Sequence, residues 1–207
     1  IQLAANMVLI GSSIFLAISA YNRVVISSPW VARLERLLPW IAGILVIGLL
    51  ALLAISSALA TGVTEHAWQP GAWYAFLTKT RTGHVWMWRE GFAILALGAA
   101  FLIRGSSSNR TQWRYVLCAI LAIITLSVGS LASHAAAEEM SVISILPYAL
   151  HIVLAGVWFG ALPAFLLLLF TKKEGQSSQE VDQSGIQTLK RFSIIAMPVM
   201  LGIIATL

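Results

Sequence analysis

Four histidines, three of them within reach of methionine or carboxylate, are the residues of this chain most able to do chemistry: His66, His84, His134 and His151. Imidazole nitrogen and thioether sulfur are donors suited to copper, and carboxylates accompany them for Cu(II). His84, Met87 and Glu90 recur at i, i+3 and i+6, so on a helix neighbouring members share a face that drifts around the axis. His134 and His151 are separated by a 16-residue connection that begins Ala-Ala-Ala-Glu-Glu-Met and carries Met140.

Each of these has a plain structural reading beside the chemical one. His66 sits among Trp and Gln and reads as a solvated interfacial histidine, and His84 reads equally well as the cap of an interfacial turn. Met87 and Met140 are residue types that commonly fill gaps in packing, and so are Met197 and Met200 near Pro198. His134 and His151 are different, because ionisable groups at membrane depth are costly and mark interiors or functional paths. Arg89 and Glu90 are adjacent, diverge by about 100° on a helix, and are expected to find partners on other helices.

The membrane depth invoked there follows from composition. Of 207 residues, 59% are hydrophobic and 10% charged, against about 45–50% and about 25% in an ordinary soluble domain. The mean hydropathy is +0.87. A soluble globule of this size cannot hide so much apolar side chain, and a disordered chain shows the opposite bias. The net charge of +5 is scattered between apolar runs rather than gathered on a face, which argues against a nucleic-acid partner. The lone Cys118 excludes an internal disulfide and a CxxC clip.

A crossing helix needs about 20 mostly apolar residues. Such runs occupy about 1–20, 40–60, 85–103, 115–133, 147–170 and 192–207, which predicts a single all-α, polytopic transmembrane bundle of about six spans in a lipid bilayer. A β-barrel would instead alternate over about ten residues per strand. The first run is already apolar at Ile1 and the last is short of a full crossing, so the expectation is part of a longer protein. Gly156 and Gly160, four apart, allow another helix to approach closely.

Lys and Arg accumulate in cytoplasmic loops. Here they number ten in the first, third and fifth connections and two in the others, so the N-terminus is expected outside. On that map all four histidines gather at the outer face, with Glu65, Glu90, Glu138, Glu139 and Met140. Trp68, Trp73, Tyr74, Trp86 and Trp88 form an aromatic belt there, some of it expected to lie flat over the helix ends.

Ser133-His134-Ala135-Ala136, then Leu150-His151 and Gly156-Val157-Trp158-Phe159-Gly160, resemble the bacterial copper resistance protein D (CopD/PcoD) family. Lys190-Arg191-Phe192-Ser193 is similar to that family's entry to the following helix, and Thr82-Gly83 to its approach to the third span. The resemblance runs from about Lys79 to the end, with the first 78 residues alike only in hydropathy. It implies an inner-membrane protein of copper uptake or tolerance, commonly of about eight spans, beside a periplasmic copper-binding partner of the CopC type. His134, His151, Trp158 and Gly160 fall on the matching motifs. His84, Met87, Arg89 and Glu90 depart from the pattern.

The resulting expectation is copper capture at the outer face by His134 and His151, with Met140, or His84 with Met87, as further donors. Glu90 completes the candidate set. Capture should weaken below about pH 6, as free imidazole protonates. The alternative is a haem b electron-transfer protein with the same two histidines as axial ligands. No nucleophile–base pair or phosphate-binding glycine loop is found, so no enzymatic activity is expected.

Overall fold

The computed structural model describes residues 1–20, 28–104, 112–134, 142–170 and 178–206, with backbone alone at 132–134, 142–145 and 178–185. Among them the helices are α1 (Gln2–Ser19), α2 (Pro29–Thr61), a 3-10 turn (Thr64–Trp68), α3 (Pro70–Lys79), α4 (Arg81–Arg104), α5 (Gln112–His134), α6 (Val142–Gly160), α7 (Leu162–Phe170) and α8 (Ser178–Ala205). Six stretches are long and apolar enough to cross a membrane, with α6 and α7 together making one of them. The fold is therefore the all-α polytopic bundle that the composition predicts. With no water in hydrocarbon, the backbone must satisfy its own polar groups, and a helix does so within one segment.

Several helices run past their apolar cores. α2 starts at Pro29, eleven positions before the apolar run at Trp40, and carries Arg33, Glu35 and Arg36 in its first turns. Its 33 residues reach about 50 Å, well beyond a hydrocarbon layer of about 30 Å. α2 stops at Gly62, whose φ of 70° suits a residue without a Cβ. Pro163 explains the break between α6 and α7: its ring nitrogen cannot donate to the carbonyl four residues back, and the chain turns at Ala161.

α1 is the spine. It packs against α2, α5, α6, α7 and α8. Against α6 the backbones touch: a Cβ on Gly160 would lie 1.7 Å from the Met7 carbonyl oxygen, and one on Gly11 would lie 2.1 Å from the Gly160 carbonyl carbon. Ser12 Oγ donates to the Gly160 carbonyl at 3.3 Å. α4 and α5 meet through Ala93, Ala96, Ala99 and Ala100 against Cys118, Ala119 and Ala122, all buried. Cys118 Sγ leans on the Ala96 carbonyl at 3.8 Å. Small residues let helices approach where hydrophobic driving force is absent. α8 lies at the rim, with 11% of its spanning window buried against 50% for α1.

We call the end where α2 finishes the upper end and the end where it starts the lower. The lower end is tied by Phe15 of α1, whose ring lies 5.7 Å from Trp30 and 5.3 Å from Phe192, and by Tyr115 of α5, whose hydroxyl donates to Glu35 of α2. The 3-10 turn and α3 cover the upper end. Ser57 Oγ donates to the His66 carbonyl at 2.9 Å, and Trp73 Nε1 to the Ala67 carbonyl at 2.9 Å. α3 turns into α4 at Thr80, whose hydroxyl accepts from the Gly83 N–H at 2.8 Å and donates to the Phe76 carbonyl at 2.7 Å. A Cβ on Gly83 would fall 2.1 Å from that same carbonyl oxygen, which gives the Thr82-Gly83 motif a structural reason.

Glycine contacts of such different tightness predict different costs. Around Gly156 the nearest atom to a new Cβ is Ile10 Cδ1 at 3.4 Å, an ordinary contact, whereas Gly160 has none of that room. Gly160→Ala should cost about 1–3 kcal/mol of overpacking and Gly156→Ala much less. Thermal unfolding of the two purified variants in one detergent checks the order.

Candidate metal-capture site

His151 lies on α6, half-buried, and its ring Nδ1 is 3.0 Å from Thr206 Oγ1 at the upper end of α8. Thr206 is 2.9 Å from the Gly202 carbonyl and 3.0 Å from the Ile203 carbonyl, both acceptors. A hydroxyl has one proton. Once that proton goes to a carbonyl, Thr206 Oγ1 can only accept from the imidazole. The tautomer that matches this arrangement has its hydrogen on Nδ1 and its lone pair on Nε2. Metal-binding histidines have this arrangement, one ring nitrogen fixed by a second group and the other left to coordinate.

His134 closes α5, and its side chain lies outside the described residues. Its height follows from backbone contacts. Leu126 of α5 packs on Gly156 of α6, 3.6 Å from where a Cβ would be. His134 is eight positions above Leu126, about 12 Å along the helix, and His151 is five above Gly156, about 7.5 Å. The two positions thus lie at the same end of the bundle on adjoining helices, about 5 Å apart in height.

The other candidates do not join them in the described structure. His84 and Met87 are exposed on α4, beside Trp88, which stacks on Phe92 at 6.3 Å. Glu90 is half-buried, and its Oε1 is buried with no hydrogen-bond partner among the described residues. Met140 lies outside the described residues, as do Glu138 and Glu139. Among the described residues no group of three or more His, Cys, Asp or Glu forms a metal site. His66 is held locally, with Nδ1 2.8 Å from Thr61 Oγ1.

Composition and spacing did not single out Gln2 and Asn6. Arg89, 6% exposed, donates from Nη2 to Gln2 Oε1 at 2.8 Å, across from α4 to α1. Its guanidinium carbon lies 5.4 Å from the Trp86 ring centroid and 2.9 Å from where Gly129 would carry a Cβ. This is the interhelical partner expected for Arg89. Asn6, fully buried, sets its amide against the backbone of α5 and, with its amide oxygen and nitrogen exchanged, donates to the Ala122 carbonyl at 3.1 Å and accepts from the Leu126 N–H at 3.3 Å. An amide inside an apolar run is itself a signal, since a polar group there needs a partner on a neighbouring helix.

A bundle of six apolar crossings, locked by interior polar groups and with an imidazole poised at one end, is a multi-pass membrane protein. Residues 1–142 match the family described as the copper resistance protein D-like, N-terminal domain, and the chain belongs to that family. It is also 28% identical over 159 residues to inner membrane protein YebZ of Escherichia coli strain K12, a match covering 75% of this chain and 50% of YebZ. The chain thus spans about half the length of that curated relative. No solved structure matches it.

The match to the N-terminal-domain family extends the resemblance over the first 78 residues. It starts at the first residue rather than near Lys79, and it ends before the His151 and Trp158 motifs.

The hydrogen-bond argument predicts the ring's protonation. Nitrogen spectra of ¹⁵N-histidine-labelled protein above neutral pH should show His151 protonated on Nδ1. Thr206→Val should erase that preference, and Thr206→Ser should keep it.

Proposed function

We propose that this is a copper-handling protein of the bacterial inner membrane, in which His134 and His151 capture the ion at the upper, periplasmic end. The observation that carries the reading is the contact of Thr206 Oγ1 with His151 Nδ1, which supports a tautomer that leaves Nε2 for coordination. Membership of a copper resistance family supplies the metal, and the name of YebZ the membrane. The bias of Lys and Arg toward the lower connections supports an outside N-terminus and cytoplasmic lower loops.

Copper is the cargo here. Two neutral imidazoles hold it without closing its coordination shell, so the ion can be received and passed on. Met140, on the connection between the two histidines, is the further donor that best fits the reading. His84 and Met87, exposed on α4, suit a second, outer contact with arriving copper. Glu90 sits with the buried arginine and is left out of the capture set. A CopC-type periplasmic protein is the natural donor, and the ion's onward route runs between α4, α5, α6 and α8.

His134→Ala and His151→Ala should each lower copper accumulation by cells and copper content of the purified protein. Thr206→Val, acting through His151, should lower affinity about 10–100-fold. Unchanged accumulation in both histidine variants rejects the assignment. A reducible Soret band in the purified protein, lost in either variant, would replace it with haem b ligation.

A further inference from the structure

The buried arginine has an effect at a distance from its own contacts. Arg89 crosses from α4 to Gln2 of α1, and on its way the guanidinium fills the notch at Gly129 of α5. Gln2 is wedged in turn against α2, where a Cβ on Gly48 would lie 2.8 Å from Gln2 Cβ. Three helices therefore meet at one planar cation, and a fourth, α2, backs its amide partner. Five positions above Gly129, about 7.5 Å along the same rigid helix, α5 reaches His134.

α6 is located on the same spine by a different device, the backbone contact of Gly160 with Met7 and Gly11. The relative height of His134 and His151 thus depends on two separate attachments to α1, alongside the direct contact of Leu126 with Gly156. One is a close backbone contact at Gly160, joined by the Ser12 hydroxyl. The other is polar, with the amide of Asn6 and the guanidinium of Arg89 as its two ties along α5. Arg89 is the upper tie and the one nearer His134.

We infer that Arg89 is a positioning residue for the histidine pair: by lying between Gly129 and Gln2 it sets how α5 presents His134 to His151. The inference rests on the copper reading above for its consequence, but not for its geometry. A guanidinium suits the task because it is flat, always charged and donates in a fixed fork, so it fills a glycine notch and bonds an amide in one pose. A lysine ammonium is a point charge on a flexible stem and fills the notch less well. Arg89 acts on His134 through α5, the helix whose notch it fills.

Two readouts test this. In a Cys118→Ala background, nitroxide labels at His134→Cys and His151→Cys report the separation by pulsed EPR without any metal. Arg89→Gln should shift or broaden that distribution, and so should Gly129→Ala, which keeps the arginine and crowds it out of its notch. Gln2→Glu added to Arg89→Lys should narrow it again by restoring a charged bond. With the histidines intact, Arg89→Gln and Gly129→Ala should weaken copper binding about tenfold or more and change the Cu(II) EPR signature. Identical label distributions in wild type, Arg89→Gln and Gly129→Ala overturn the inference, whatever copper does. A changed distribution with unchanged copper affinity and spectrum, where His134→Ala does lose copper, overturns it as well. Copper binding that survives both histidine substitutions overturns the copper reading, and the label experiment shows that failure separately.

Discussion

In hydrocarbon nothing drives one apolar helix onto another, because lipid tails are as apolar as leucine. The bundle is therefore located by the few places where backbones touch or polar groups pair, and α1 holds most of them. Gly11 and Ser12 meet Gly160, Asn6 meets the backbone of α5, and Gln2 meets Arg89. The leucine and isoleucine positions around these contacts fill space once the contacts have set it. A change in a leucine of α1 alters packing, whereas a change in one of these polar or small residues alters where a helix stands.

The two ends of the bundle are secured differently. At the lower end, bulky rings of Phe15, Trp30 and Phe192 pack together and Tyr115 bonds Glu35 across α5 and α2. At the upper end the ties are single polar contacts, Arg89 with Gln2 and His151 with Thr206, beneath a cover of short helices. α8 touches the rest sparingly, so His151 is one of the few polar links holding that helix near its upper end. A metal bound at the imidazole and a helix leaning on it would then share one side chain.

Much of the architecture was legible in the sequence because composition alone decides it: six apolar runs in 207 residues with 10% charge can scarcely be anything but crossings. Helix ends were less legible. A hydropathy reading stops at the first charge, but the backbone continues its hydrogen bonding into the interface, which is why α2 starts at Pro29 and α8 at Ser178. The site was legible in part. Clustering of the imidazole positions at one end follows from alternating spans, and the placements of His134 and His151 on adjoining helices agree with it. Which way a side chain turns does not follow from spacing that drifts around the axis. His84 and Met87 are exposed on α4, whereas Glu90 is half-buried with its Oε1 out of solvent. Gln2 and Asn6 could have been found by asking what each polar residue within an apolar run bonds to.

The single thiol of the chain sits where α4 and α5 press closest, against the carbonyl of Ala96. Alkylating reagents can meet it only when the packing of α1, α4 and α5 around it opens. Its rate of modification therefore clocks the opening of this packing, which includes the helices that carry the buried cation and the α5 histidine, with no second sulfhydryl to blur the reading.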